Sequence, residues 1–479
     1  MTARLVAGVD SSTQSTKVEV RNLDTGEVVS RGAAAHPATT PPRSEQDPHA
    51  WWSAFETAWS AAGSPAVEAI SVAGQQHGMV VLDANREVVR PAKLWNDTET
   101  APDAGWLLKQ LPGGASDWAT AVGSVPVAAF TVTKLSWLHR SEAEHWDRLA
   151  HVVLPHDWMT MRLTGELVTD RGDASGTGYW SPSSGEYRWD ILSIIDNDRD
   201  WSTVVPRVAG ATEVVGGWNG AKVACGTGDN MAAALGLGLQ PGVAVLSLGT
   251  SGTAYALSDR STHDATGVVA GFADATGCFL PLACTLNATK VTDAIARLLG
   301  VDHVEFDRLA LAAPSGAGGL TLLPYFDGER TPNLPKATGL LAGLRSDVSR
   351  EQIARAAVEG VVCGLLDALD ALGATTPLSA VRLVGGGARS AAFRHVVAEL
   401  CDLPVSLADA DEAVATGACV QAAAIALDIA HAAVAERWGL GLGTPLGEPL
   451  GEPSGDTGDA AGVRARYAEL RMATHPSTA

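Results

Sequence analysis

Leu248-Gly249-Thr250-Ser251-Gly252-Thr253 lies between the apolar runs Val243 to Leu246 and Ala254 to Leu257. Asp10-Ser11-Ser12-Thr13-Gln14-Ser15-Thr16 lies in the same way between Val6 to Val9 and Lys17 to Arg21. Both segments read as strand, small-hydroxyl turn, strand, with Thr13 matching Thr250, and Glu27 to Ala34 adds a third strand after the Thr25-Gly26 turn. Two copies of one phosphate-sized hairpin point to a duplicated α/β architecture. Gly, Ser and Thr also populate ordinary hairpin turns, so the repeat by itself leaves two unrelated hairpins open.

The intervening sequence fits an α/β chain. Val67 to Ala73 reads as a buried strand leading into Gly74, residues 47 to 62 and 132 to 149 as helices, and Glu351 to Leu372 as a long core helix. Ala380 to Val384 reads as a strand that ends in GGGARS and opens the helix Ala391 to Cys401, an arrangement that aims backbone N–H groups and a helix N-terminus at an anion or nucleotide. Ala413 to Leu427 is apolar and alanine-rich, too short to span a bilayer and followed by Asp428 and His431, so a packed core helix is expected. Leu440 to Gly462 is acidic and rich in Gly and Pro, which favours a flexible loop, with a short helix over Val463 to Met472 after it.

Composition narrows the function. The 479 residues exceed one ordinary domain, and the 46% hydrophobic share supports large cores. A net charge of -20 supplies no positive field, so neither nucleic acid nor an anionic membrane is an expected partner. Any phosphate must then be held locally. Six scattered cysteines without a C-x-x-C pair read as buried thiols of a reducing compartment. The start MTARLVAGVD is too short for a signal-peptide core and reads as the first strand of a cytoplasmic protein.

Four polar segments each suit one part of a phosphoryl transfer, which needs an acceptor hydroxyl, a base, and donors with Mg²⁺ for the phosphate oxygens. Asp229, where Gly226-Thr227-Gly228 meets a helix start, is well placed to be a base; it is equally suited to capping that helix, although capping leaves Gly226 and Gly228 unexplained. Asp10 stands at a strand end before a run of hydroxyls, where it could hold Mg²⁺ through water or simply cap a turn. Gln75 to Gly78 and Trp95 to Asp97 combine amides, an imidazole, a carboxylate and one flat apolar face, the mixture that binds a polyol. A core histidine and an ordinary Asn-Asp turn are the plain alternatives there. No Walker A sequence occurs, which closes the P-loop route.

Together the segments resemble the FGGY family of carbohydrate kinases. SEQDPHAWW (Ser44 to Trp52), AGQQHG (Ala73 to Gly78), LWND (Leu94 to Asp97), FTVTKLSWL (Phe130 to Leu138), LPHDWMTMRLTGELVTD (Leu154 to Asp170), GDNMAAALG (Gly228 to Gly236), LSLGTSG (Leu246 to Gly252), LLPYFDGERTP (Leu322 to Pro332) and VGGGARS (Val384 to Ser390) carry the resemblance, in order, from Val6 to about Ala424. It implies two actin-like, ribonuclease-H-type α/β domains hinged around a cleft: residues 1–240 binding the sugar, 241–436 binding ATP, then 437–479 as a Gly/Pro-rich loop and helix. It further implies ATP-dependent phosphorylation of D-xylulose at O5, with Asp229 as the base and Gln76, His77, Asp97 and Asn230 on the sugar, joined by Trp95 from the residue reading. Asp10 and Thr13 are expected at the Mg²⁺-phosphate region, Thr250 and Gly252 at the γ-phosphate, and Gly386, Gly387 and Ser390 at the adenosine. A homodimer is the implied assembly. Kinases of another ketose or pentitol, such as ribulose or arabinitol, and a non-catalytic sugar-sensing actin-like protein are the other readings.

Overall fold

The computed structural model describes residues 3–409, 411–446 and 460–476. The chain divides into two compact units, one of Met1–Gln240, Leu257–Leu280 and Ala410–Leu442, the other of Pro241–Ala256, Pro281–Asp409 and Gly443–Ala479. The second unit begins where a boundary after residue 240 is expected. Residues 257–280 and 410–442, however, return to the first unit instead of continuing the second. Residues 447–459, most of the expected Gly/Pro-rich loop, lie outside the described residues.

The first unit is built on a sheet ordered Val214–Trp218, Ala221–Ala224, Ala69–Gly74, Leu5–Ser11, Ser15–Asn22, Val28–Ala35. The expected meander is its right half: Leu5–Ser11 pairs antiparallel with Ser15–Asn22, which pairs antiparallel with Val28–Ala35. On its other side Leu5–Ser11 runs parallel to Ala69–Gly74, with Asp10 opposite Ala73. Why Val6 to Val9 is a continuous apolar run follows from what covers it. Ala7 and Val9 face Trp51, Phe55 and Ala58 of the helix Pro48–Ala61, whereas Val6 joins Val420, Ala423 and Ile425 of the helix Ala413–Leu427 on the opposite face. A strand buried on both faces loses the usual apolar-polar alternation. Ala413–Leu427 is accordingly the core helix its composition indicates, buried from Ala415 to Ile425, and among the described residues no single helix is long and apolar enough to cross a membrane.

The helix expected over 132–149 is two, Thr131–Ser141 and Ala143–Arg148. They part at Glu142, whose backbone is non-helical (φ -134°, ψ 67°) and whose carboxylate is held by Arg90 and His145, each at 2.7 Å.

In the second unit the sheet runs Phe279–Thr285, Gly252–Ala256, Val243–Leu248, Ala380–Val384, Val405–Ala408, Gly443–Pro445. Val243–Leu248 is antiparallel to Gly252–Ala256 and parallel to Ala380–Val384, so a hairpin beside a parallel strand recurs and the architecture is duplicated. The helix Arg350–Thr375 opens with a reciprocal Ser349–Gln352 capping box and buries Val358, Val361, Leu365 and Leu369. The last helix, Ala460–Thr474, exceeds the expected 463–472 and docks on it through Arg464 with Asp370 and Arg471 with Asp367.

Candidate active site

In a parallel sheet the carboxyl ends of the strands collect at one edge, and polar side chains there face a shared space. Here the short strand Thr227–Gly228 also pairs in parallel with Ala69–Gly74, so that Asp10 and Thr227 both lie opposite Ala73 from its two sides. Asp229 follows at once as the first residue of the helix Asp229–Gly236, whose N-cap is Gly228; capping therefore does not account for Asp229. The glycines around it have steric causes. Gly226 has φ +79° and a side chain there would strike His156, while a side chain at Gly228 would strike Gln76. Desolvation, reinforced by the Asp10 and Asp173 carboxylates, pushes Asp229 up to about 7, against the N–H groups at the helix start, which favour its charged form. Buried Asp10 is likewise pushed up by desolvation, to about 6, although it accepts the Ser12 hydroxyl and faces Lys17.

The amides and the imidazole of the polyol cluster gather beside Asp229. Asn230 Nδ2 donates to Gln76 Oε1 at 2.7 Å and to Asp229 Oδ1 at 3.1 Å, which fixes all three side chains. His77 has φ +64°, rare for a residue with a side chain. Its ring lies against Phe130 and Phe272 (centroids 5.0 and 5.4 Å), its Nδ1 is 2.8 Å from Gly176 O, and its carbonyl accepts the Thr131 hydroxyl at 3.2 Å. Trp95, 40% exposed, donates its indole N–H to Thr13 Oγ1 at 2.9 Å, and that hydroxyl donates to Gln75 Oε1 at 3.2 Å. Thr13 thus links the hydroxyl turn to the aromatic face.

Asp97 belongs to a different cluster. Its Oδ2 accepts from Ser44 N at 2.9 Å and from Lys93 Nζ at 2.8 Å, and its Oδ1 accepts from Glu99 N at 3.0 Å. Glu45, Asp97 and Glu99 are close enough to hold a metal, yet fully buried Lys93 places its ammonium 2.8 to 3.1 Å from all three and 4.0 Å over the Trp137 ring. The site already has its cation. Asp97 is spent on holding the turn that carries Trp95.

In the second unit, the carbonyls of Gly249 and Thr250 accept from Thr289 N and Ala288 N, which seats the turn on the N-terminus of the helix Thr289–Leu299. Gly385 (φ +92°) then brings the Gly386–Arg389 turn against Leu248, and Gly387 packs on both Leu248 and Thr289. Thr250 and Gly387 therefore meet at one helix N-terminus, with Gly386 next in the chain. Gly252 is walled by Leu365 and Thr285, a packing reason for a glycine. Ser390 caps the helix Ala391–Leu400 and donates to Asp307 at 2.6 Å. Along the same Thr289–Leu299 helix lies a cavity of about 480 Å³, lined by Lys290, Asp293, Ala294, Arg297, Phe326 and Asp327.

A buried polar layer behind Asp229 has no counterpart in the sequence reading. His156 Nδ1 lies 2.8 Å from Asp173 Oδ2 and its Nε2 lies 3.1 Å from Asp157 Oδ1. Burial alone would lower its pKa, but Asp157, Asp173 and Asp170 outweigh it and push His156 up to about 9. Asp170 accepts the Thr227 hydroxyl at 2.7 Å, two residues before Asp229. A His-Asp pair opening the otherwise buried helix Pro155–Thr164 is the signal that could have pointed here; nothing local marks Phe272.

Models of the FGGY family of carbohydrate kinases match residues 5–246 with the N-terminal domain and 244–426 with the C-terminal domain. The chain belongs to the FGGY family of carbohydrate kinases. As an FGGY kinase it is 49% identical over 452 residues to a xylulose kinase of Streptomyces coelicolor, covering 92% of each chain. It is 48% identical over 447 residues to a xylulose kinase of Streptomyces rubiginosus, covering 91% of this chain and 90% of that one. The crystal structure of xylulose kinase from Bifidobacterium adolescentis superposes with a TM-score of 0.85 at 40% identity, covering 98% of this chain and 100% of that one. The FGGY fold, two α/β domains of actin-like plan, and the use of ATP as phosphoryl donor follow from membership.

Proposed function

We propose that this FGGY kinase transfers the γ-phosphoryl group of ATP to O5 of D-xylulose, giving D-xylulose 5-phosphate and ADP. The observation that carries the reading is a carboxylate held near neutral at the strand ends, beside the Gln76–Asn230 amide pair, in a chain colinear with xylulose kinases. A base poised near 7 is ionised at working pH yet still basic enough to take a proton in the transition state. Asp229 removes the O5 proton as O5 attacks the γ-phosphorus; the O5–P bond forms, the bond from phosphorus to the β,γ-bridging oxygen breaks, and ADP leaves.

Gln76, Asn230 and His77 hold the sugar hydroxyls, and the exposed Trp95 face packs on its carbon skeleton. Asp97 acts on the sugar at one remove, by fixing the Trp95 turn. Asp10, with oxygen donors only and a neighbouring carboxylate whose repulsion a cation relieves, fits Mg²⁺, which would neutralise phosphate charge when bound. Thr250, Gly386 and Gly387 present backbone and hydroxyl donors to the nucleotide, with Gly252 and Ser390 shaping the turn and the helix beside them.

The test is coupled ADP release with Mg-ATP across D-xylulose, D-ribulose, L-ribulose, D-arabinitol, xylitol and glycerol. Highest kcat/KM for D-xylulose is expected. Preference for another member of the panel would overturn the substrate and keep the base; no turnover on any would favour a sugar sensor.

A further inference from the structure

We infer that Asp173, whose carboxylate acts on Asp229 through its charge alone, is a positioning residue for the sugar side, holding the His77 turn in its left-handed conformation. The inference rests on the proposed ketose phosphorylation. A non-glycine residue at φ +64° is strained, and such strain persists only where the surroundings over-determine it. For His77 they do so from three directions. Its backbone N–H faces the Asp173 carboxylate, its carbonyl accepts the Thr131 hydroxyl at 3.2 Å, and its Nδ1 meets Gly176 O at 2.8 Å. Two of these three come from one short segment, 173–176, at the end of the helix Arg171–Ala174, and the ring packs so closely on Gly176 that no side chain fits there.

The segment is itself pinned from behind. Asp173 is fully buried and its Oδ2 takes His156 Nδ1 at 2.8 Å, so its second partner is an imidazole also sealed from solvent. Three residues earlier Asp170 caps the helix Arg171–Ala174 through Gly172 N and Asp173 N and accepts the Thr227 hydroxyl. One four-residue helix therefore joins the His77 turn to the strand that delivers Asp229. The buried ionisable groups His156, Asp170 and Asp173 carry a desolvation cost that apolar side chains of the same volume would not. Their arrangement adds a second tie between two turns that also meet through the Gln76–Asn230 hydrogen bond.

The experiment compares wild type, Asp173→Ala and Asp173→Asn by steady-state kinetics with D-xylulose and ATP varied separately, alongside thermal melts. Asp173→Ala is expected to raise the sugar KM about tenfold or more, the scale of one lost charge-assisted hydrogen bond, with the ATP KM within about twofold of wild type. Asp173→Asn, which keeps an oxygen for the His77 N–H, is expected to recover most of the loss. Sugar and ATP parameters falling together, no rescue by Asn, or failure of both variants to fold would overturn the inference, because a residue of purely structural role behaves so. A wild type that phosphorylates no ketose would instead overturn the function on which it rests; one that prefers another ketose would leave the inference standing, with that sugar as the probe.

Discussion

Asp10 and Asp229 leave the sheet on either side of the same strand, and after burial the Asp10 carboxylate is the chief cause that raises the Asp229 pKa. Adjacent strands lie about 4.8 Å apart, so Asp10 and Thr227 sit two strand spacings apart in register, with Asp229 two residues beyond Thr227. The following outcomes are expected from this arrangement.

Replacing Asp229 by alanine removes the proposed base at a position within the first unit. The expected result is a fall in kcat of about 10²- to 10⁴-fold, with the ATP KM near that of wild type, measured by coupled ADP release. Loss of ATP binding with an intact fold would assign the residue to the nucleotide instead.

The pH profile carries the sign of the Asp229 shift. The base works deprotonated, so kcat/KM for the sugar should fall on the acid side below about pH 7, well above the ordinary carboxylate value of 3.8. Stability runs the other way. A carboxyl whose folded pKa is raised binds more protons folded than unfolded between these values, so its contribution declines as pH rises from about 4 through about 7. Asp229→Asn should therefore melt higher than wild type at pH 8, with the gap closing toward pH 5.

His77→Asn should raise the sugar KM more than the ATP KM, because the ring is fixed among residues of the first unit only. Equal effects on both would remove His77 from the sugar site.

Lys93→Met should cost about 3–5 kcal/mol of stability, the penalty for stranding buried carboxylates without their cation, and Asp97→Asn in the same chain should restore part of it. Chemical denaturation measures both; a neutral Lys93→Met would mean that Glu45, Asp97 and Glu99 do not depend on the ammonium.

Ser390→Ala should destabilise by about 1 kcal/mol through the lost N-cap and the lost Asp307 tether. A thermal melt read beside the ATP KM separates this from a direct nucleotide contact, which would move the KM without moving the melt.

What the sequence made legible followed from periodicity and turn chemistry. Val6 to Val9 and Val243 to Leu246 announced central strands because both faces of each are covered, and Ala413 to Leu427 announced a core helix because its alanines pack on all sides. Asp229, Gln76, His77 and Asn230 stood out as candidates because each sits at or next to the end of such an element. Asp97 shows the limit: its neighbours in sequence read as a sugar turn, but its charge is consumed by Lys93, four residues back and buried, a partnership that only tertiary packing reveals. The meeting of His156 with Asp173 was not legible for the same reason, since the His156-Asp157 pair signals a polar layer but nothing local joins it to Asp173. The break at Glu142 was missed because its causes, Arg90 and His145, include one residue far away in the chain.

The return of residues 410–442 to the first unit has a consequence for biosynthesis. The strand Leu5–Ser11 leaves the ribosome some four hundred residues ahead of the helix that seals its second face. At about 5–20 residues per second, the Val6 side of that sheet waits tens of seconds for its cover. The nascent first unit must spend that interval with an apolar sheet face open, and fragments ending before residue 410 should be kept in solution only by chaperones.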